Sequence, residues 1–206
     1  MTKQKYAAYA LRTVNKDGEA YGDFQWPKKG KVICPDWKPI QECGNGLHGL
    51  LHGQGSTDYL DFSDDALWQV VGLNDDELKQ TIDLEDKVKF PSCTVVFTGT
   101  RQDAVAYIQK NDPLASLCVF GTATAGNGGT ATAGYWGTAT AGDYGTATAG
   151  DRGTATAGDW GTLIIRYWDA ESNRYRFNIA YVGENGINAD TPYRLDENHK
   201  FVETHP

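Results

Sequence analysis

GTATAGNG GTATAGYW GTATAGDY GTATAGDR GTATAGDW, residues 121–160, is five copies of one eight-residue unit laid end to end. Gly121, Gly129, Gly137, Gly145 and Gly153 each open a Gly-Thr-Ala-Thr-Ala-Gly run that two variable residues complete. A fixed period of this kind means identical structural units stacked on one another. One octad is too short to close a coil, but two octads suffice: strand, turn, strand, turn, sixteen residues per coil. Thr-Ala-Thr-Ala is the strand, with side chains alternating between faces. The glycines let the backbone reverse at each edge. The expected object is a short two-sided β-solenoid.

The flanking octads indicate which face points inward. Residues 161–168 are in phase with the repeat, and Leu163 and Ile165 fall on alanine positions. In the preceding octad, 113–120, Leu117 also falls on an alanine position, while Ser116 and Thr162 fall on threonine positions. Alanine is therefore expected inside and threonine outside, with Leu114 and Ile164 breaking the pattern. An alanine interior buries about one methyl per inward residue, on the order of 1 kcal/mol each. Ordering the backbone costs roughly 1–2 kcal/mol per residue, so the solenoid is expected to need capping by the flanking segments or a second subunit.

A sixteen-residue coil sorts the variable residues into two columns. One stacks Asn127, Asp143 and Asp159, with Gly128, Tyr144 and Trp160 beside them; Tyr144 should lie over Trp160. The other stacks Tyr135, Asp151 and Tyr167, with Trp136, Arg152 and Trp168. Coils lie about 4.8 Å apart, which puts Arg152 between two indoles in a cation–π sandwich.

Outside the repeat, strands are expected at 5–12, 30–34, 66–72 and 94–98, and a helix at 101–110 that stops at Asn111-Asp112-Pro113. The segment Cys43–Gly55, with five glycines in thirteen residues, reads as a loop. Hairpin-like pairs are expected at 163–168 with 174–182 and at 193–196 with 200–203. The fold class is mainly β: an α+β domain at 1–112, the solenoid with flanking cap octads at 113–168 and a β segment at 169–206. The formal net charge of −8 disfavours nucleic acid and anionic membranes as partners. No apolar run approaches the roughly 18 residues that span a bilayer. The basic start, Met1 to Tyr6, has no apolar stretch after it, so no secretory signal is expected. Four cysteines are too few for a disulfide scaffold, and a cytoplasmic protein with reduced thiols is the simplest reading.

The chain resembles a group of uncharacterised phage and prophage proteins. The likeness is carried by Cys43-Gly44-Asn45-Gly46-Leu47-His48, by the octads, and by Tyr181-Val182-Gly183-Glu184-Asn185-Gly186-Ile187 followed by Tyr193-Arg194-Leu195-Asp196. It covers nearly the whole chain and implies a phage context, with the host cytoplasm as location, but no activity. The octads also look like the Thr-x-Thr repeats of bacterial ice-nucleation proteins and the rolls of trimeric adhesin heads.

Cys34, Cys43, His48 and His52 form by residue type a complete tetrahedral zinc ligand set within nineteen residues, in an unfamiliar spacing. The plainer reading is a buried Cys43 and a His48 that hydrogen-bonds its own loop; no cofactor is required. His48 among glycines also suits a general acid or base in a nucleotide-dependent transferase resembling ADP-ribosyltransferase folds, although no catalytic Glu motif accompanies it. The threonine rows suit an ice lattice, against the plainer reading of solvated β-formers. The aspartate column suits a cation, against solvated turn residues. With three Asp and one Arg in 121–160, charge is too sparse to mimic DNA. The favoured function is a non-catalytic interaction or self-assembly module. Its surface is Tyr135, Trp136, Tyr144, Arg152, Trp160 and Trp168, and its partners are a second copy and a host protein.

Overall fold

The computed structural model describes residues 6–20 and 24–204. Lys5, where the first strand was expected to begin, and most of the basic start lie outside them. The chain divides into two compact units, Met1–Ala115 and Ser116–Pro206, and the fold is mainly β in both.

The first unit contains β1 (Ala8–Val14), β2 (Glu19–Ala20), β3 (Phe24–Gln25), β4 (Gly30–Ile33), β5 (Leu47–Leu51), β6 (Leu67–Leu73), α1 (Asp75–Lys79), β7 (Ile82–Asp83), β8 (Val88–Phe90), β9 (Ser92–Gly99) and α2 (Arg101–Asn111). Seven of the strands form one sheet in the order β4-β9-β6-β1-β5-β8-β7. Its paired strands all run antiparallel. β1 is central and buried along its whole length, which is why an apolar Ala-Tyr-Ala-Leu run lies there. The β-branched strand β9 and the Trp-Gln-Val-Val run of β6 lie on its far side. Thr100 caps α2, accepting from Asp103 N at 3.2 Å, and the helix buries Ala104, Val105 and Ile108.

The short strands β2, β3, β7 and β8 were not expected from the sequence, and two further departures have a clear physical reason. The Cys43–Gly55 segment is not all loop, because its middle forms β5, paired with β1 and β8. Sheet pairing there overrides glycine's poor local propensity, and Gly49 sits where space is tight: an added Cβ would lie 3.2 Å from both Ala10 Cβ and Leu11 O. The short helix α1 was not expected. It starts at a capping box in which Asn74 accepts from Asp76 N and Glu77 N while Glu77 accepts from Asn74 N. The Asn-x-x-Glu spacing at 74–77 was its available signal.

The second unit contains β10 (Thr122–Ala125), β11 (Thr130–Thr132), β12 (Thr138–Ala141), β13 (Thr146–Ala149), β14 (Thr154–Ala157), β15 (Thr162–Asp169), β16 (Arg174–Tyr181), β17 (Tyr193–Leu195) and β18 (Phe201–Glu203). One sheet runs β10-β12-β14-β17-β18 and the other β11-β13-β15-β16. Within the repeats every pairing is parallel and shifted by one coil of sixteen residues: Thr122 faces Thr138, which faces Thr154, and Thr130 faces Thr146, which faces Thr162. Ala139, Ala141, Ala147, Ala149, Ala155 and Ala157 are buried between the sheets, and Leu163 and Ile165 continue the row. Larger side chains close the last coil, where Val182, Ile187 and Tyr193 join the alanine core. The strand edges at that end are covered by antiparallel pairing, β16 on β15 and β17 on β14.

The octad at 113–120 is not a coil. Ala115–Leu117 is a 3-10 turn, and Leu117 is 42% exposed instead of facing inward. Pro113 opens that octad, and its first two positions lack the glycine and threonine that let the others close.

Candidate functional site

Each repeat edge is a tight turn. The glycine that opens one octad donates back to the glycine three residues earlier, as in Gly145 N to Gly142 O at 3.0 Å and Gly153 N to Gly150 O at 3.0 Å. The eighth octad residue occupies the left-handed region: Gly128 (φ 67), Trp136 (φ 55), Tyr144 (φ 57), Arg152 (φ 57) and Trp160 (φ 58). Phe120 (φ 59) shares it one octad earlier. Only Gly128 holds this conformation without steric cost, and the large residues there are strained by about 1 kcal/mol or more each. Their backbones are fixed by the stack itself, with Trp136 N donating to Asp151 O at 3.0 Å and Tyr144 N to Asp159 O at 2.8 Å.

These turns form the first expected column and the first two ranks of the second, whose third rank lies within a continuous strand and not in a turn. Tyr144 and Trp160 share one edge and are 70% and 75% exposed. On the other edge Trp136 stacks on Phe120 at 6.1 Å, and the Arg152 guanidinium lies 5.4 Å over the Trp136 ring. Trp168 lies one coil further on, within extended β15, and packs edge-on to Tyr175 at 5.0 Å. Tyr135 lies edge-on to Trp136 at 6.3 Å.

The aspartate column binds the backbone. Asn127 Oδ1 accepts from Asp143 N at 3.1 Å, Asp143 Oδ1 accepts from Asp159 N at 3.1 Å, and Asn127 Nδ2 donates to Asp143 Oδ2 at 3.3 Å. Each side chain thus satisfies an amide of the next coil. Asp151, in the other column, is pushed up by burial, against the pull of Arg152.

The threonines make the most regular surface. On β10, β12 and β14 the outward residues are Thr122 and Thr124, Thr138 and Thr140, Thr154 and Thr156: two files of three ranks. The other sheet carries Thr130, Thr132, Thr146, Thr148 and Thr162, and then becomes apolar. Ile164 faces Ile179 across the β15–β16 pair. Tyr175, Phe177, Ile179 and Tyr181 alternate along β16 and are all exposed. Sequence reasoning missed this stripe, although its period of two was legible at 174–181.

The residues expected to bind zinc are not drawn together. Cys34 is buried and its Sγ donates to Asp36 Oδ1 at 3.1 Å. Burial, and then that hydrogen bond, push its thiol up, against the thiolate a metal requires. Cys43 is exposed, not buried as the plainer reading held. His48 lies on β5, opposite Lys89 of β8. The His52 Nδ1 is 2.8 Å from Asp112 Oδ2. Among the described residues no group of three or more His, Cys, Asp or Glu is placed to hold a metal ion. Cys34, Cys43, Cys93 and Cys118 are free thiols. No helix among the described residues is long and apolar enough to cross a membrane.

Fold and surface define a class: a short threonine-faced β-solenoid preceded by an α+β unit. Residues 8–107 match a domain of unknown function, DUF7666. The chain is similar to an ice nucleation protein of Xanthomonas campestris pv. translucens, 41% identical over 105 residues, which is 51% of this chain and 7% of that protein. It is similar to ice nucleation protein InaU of Pantoea ananas, 37% identical over 98 residues, 48% of this chain and 9% of that one. An ice nucleation protein of Pseudomonas syringae is 39% identical over 113 residues, covering 53% of this chain and 9% of its own length. The chain thus spans less than a tenth of the length of these relatives. No solved structure matches it.

Proposed function

We propose that the solenoid is a non-catalytic interaction module whose threonine arrays adsorb to ice. The observation that carries this is the two-file array of β10, β12 and β14. Its hydroxyls repeat about every 4.8 Å from rank to rank and roughly 6.7 Å from file to file. Each threonine presents a hydroxyl that anchors water and a methyl that does not compete for it. Parallel pairing on both sides of β12 holds the central rank rigid. The local similarity to ice nucleation proteins supports the same reading. Three ranks span only about 10 Å, so one molecule is expected to adsorb to ice and slow its recrystallisation, not to nucleate it. In the test, fluorescently labelled protein is grown into polycrystalline ice. Capture by the native chain and loss of capture in Thr140→Glu, with an unchanged circular dichroism spectrum, is the expected outcome. Equal exclusion of both proteins, or equal capture, sinks the proposal.

The β16 stripe favours a second, compatible reading: self-association. Apolar side chains alternating along an exposed strand at a sheet edge are characteristic of strands that pair with a further chain. A second copy adding there extends the threonine-bearing sheet. A phage setting, a host protein as partner and a cytoplasmic location rest on the sequence alone.

A further inference from the structure

We propose that the α+β unit has a ligand site of its own, a cleft that binds a small organic anion whose charged group meets Arg12. The cleft has a volume of about 1170 Å³. Arg12 lies on the central strand, is 7% exposed, and its guanidinium packs 3.3 Å from the centre of the Trp26 ring. Nη1 donates to His48 O and Nη2 to Thr13 O, each at 3.2 Å. Its Nε is buried and has no hydrogen-bond partner among the described residues. The ion pairs among those residues involve Lys16, Lys31, His52, Lys79 and Arg176, so no carboxylate answers Arg12.

The surroundings reinforce this charge. Lys89 is fully buried, and its Nζ donates to Glu42 O at 2.7 Å and Gly44 O at 3.2 Å, again to carbonyls and not to an acid. His48 stands opposite Lys89 on the neighbouring strand, and its Nε2 is the second buried polar atom of the cleft wall without a partner. Burial, and then Lys87, Lys89 and Arg12, push the His48 ring down to about 4, so it is neutral near pH 7. Burial also lowers Arg12 to about 9, which leaves it charged. Glu19, Asp36, Asp58 and Asp61 line the same cleft. Asp36 is already engaged by Asn45 Nδ2 at 2.6 Å and by Cys34, and Asp61 by the Ser63 amide at 2.9 Å. A buried cation without a counter-ion costs several kcal/mol, and an anionic ligand removes that cost. A large cleft with a buried, unpaired cation in its wall is a common form of a small-molecule site. Phosphate and carboxylate heads share the chemistry required.

The test is an NMR titration of the full chain with three probes: inorganic phosphate, acetate and adenosine monophosphate. The expected result is saturable shifts of the His48 ring and Trp26 indole signals. Phosphate or acetate alone identifies the preferred head, and Arg12→Met weakens binding at least about tenfold, the effect of losing a charged hydrogen bond. Should Arg12→Met fail to fold, His48→Gln and Lys87→Ala, at partly exposed side chains, replace it, and at least one must weaken binding about threefold. The site is overturned if no probe shifts these signals up to about 10 mM, or if the variants bind as the native chain does. Ice capture reads the other unit, so either idea can fail alone.

Discussion

The sixth residue of every octad is glycine, and the stack explains it without any special backbone angle. A Cβ added at Gly150 would lie 2.5 Å from the carbonyl carbon and oxygen of Gly134 and 2.7 Å from Tyr135 N, all in the coil beneath. At Gly134, Gly142 and Gly158 the added atom would likewise strike the preceding turn, meeting Leu117 O, Asn127 Oδ1 and Asp143 Oδ1. At Gly126, the same position in the first octad, it would meet nothing within 4 Å. Neither Gly126 nor Gly150 has a positive φ. Gly150→Ala must therefore force two coils apart. Overpacking of that kind costs about 1–3 kcal/mol. The bonds it stretches, Gly150 N to Ala133 O at 3.1 Å and Trp136 N to Asp151 O at 3.0 Å, are nearby, and weakening each adds about 0.5–1 kcal/mol. The expected loss is about 2–5 kcal/mol. Gly126→Ala should instead be neutral, or stabilising by up to about 1 kcal/mol through the unfolded chain. Urea unfolding, with hydrogen exchange resolved over 121–165, measures both. Equal destabilisation by the two substitutions would refute the stacking argument and place the need for glycine in the local turn.

Leu163→Ala, at a fully buried side chain closing the alanine core, should cost about 2–5 kcal/mol; urea unfolding within 0.5 kcal/mol of native, roughly the scatter of surface changes, would contradict that role. Asp112 is buried and accepts from Tyr9 N at 3.1 Å and Leu114 N at 2.9 Å beside His52. Burial raises its pKa, but the hydrogen bond with His52, and then those from the Leu114 and Tyr9 amides, outweigh that and hold it below the ordinary carboxylate value. Its stabilisation is thus complete above the unfolded value of about 3.9 and is lost as pH falls through the folded value. Asp112→Asn should lower stability at pH 7 by about 1–3 kcal/mol and flatten the acid limb of the stability curve; an unchanged acid limb would exclude Asp112 as its source. Light scattering should give a mass of at least twice the 22.5 kDa chain, reduced by Phe177→Glu or Trp136→Ala according to which surface carries the contact; a clean monomer at micromolar concentration removes self-association.

The repeat alone determined the solenoid, its sixteen-residue coil and its alanine interior, because a period of eight with alternating Thr and Ala permits one stacking. Of the N-terminal strands, β1, β4, β6 and β9 were legible from apolar runs, and α2 from its caps and its stop at Asp112. Tertiary structure decided what depends on pairing between distant segments. β5 forms among glycines because β1 and β8 supply its hydrogen bonds, which local propensity cannot register. Cys34, Cys43, His48 and His52 are neighbours in sequence, yet a strand and its turns send them to different partners. Arg12 looked like one more residue in an apolar run. Only the packing of Trp26 over it, with carbonyls in place of carboxylates around it, makes it a buried charge in search of an anion.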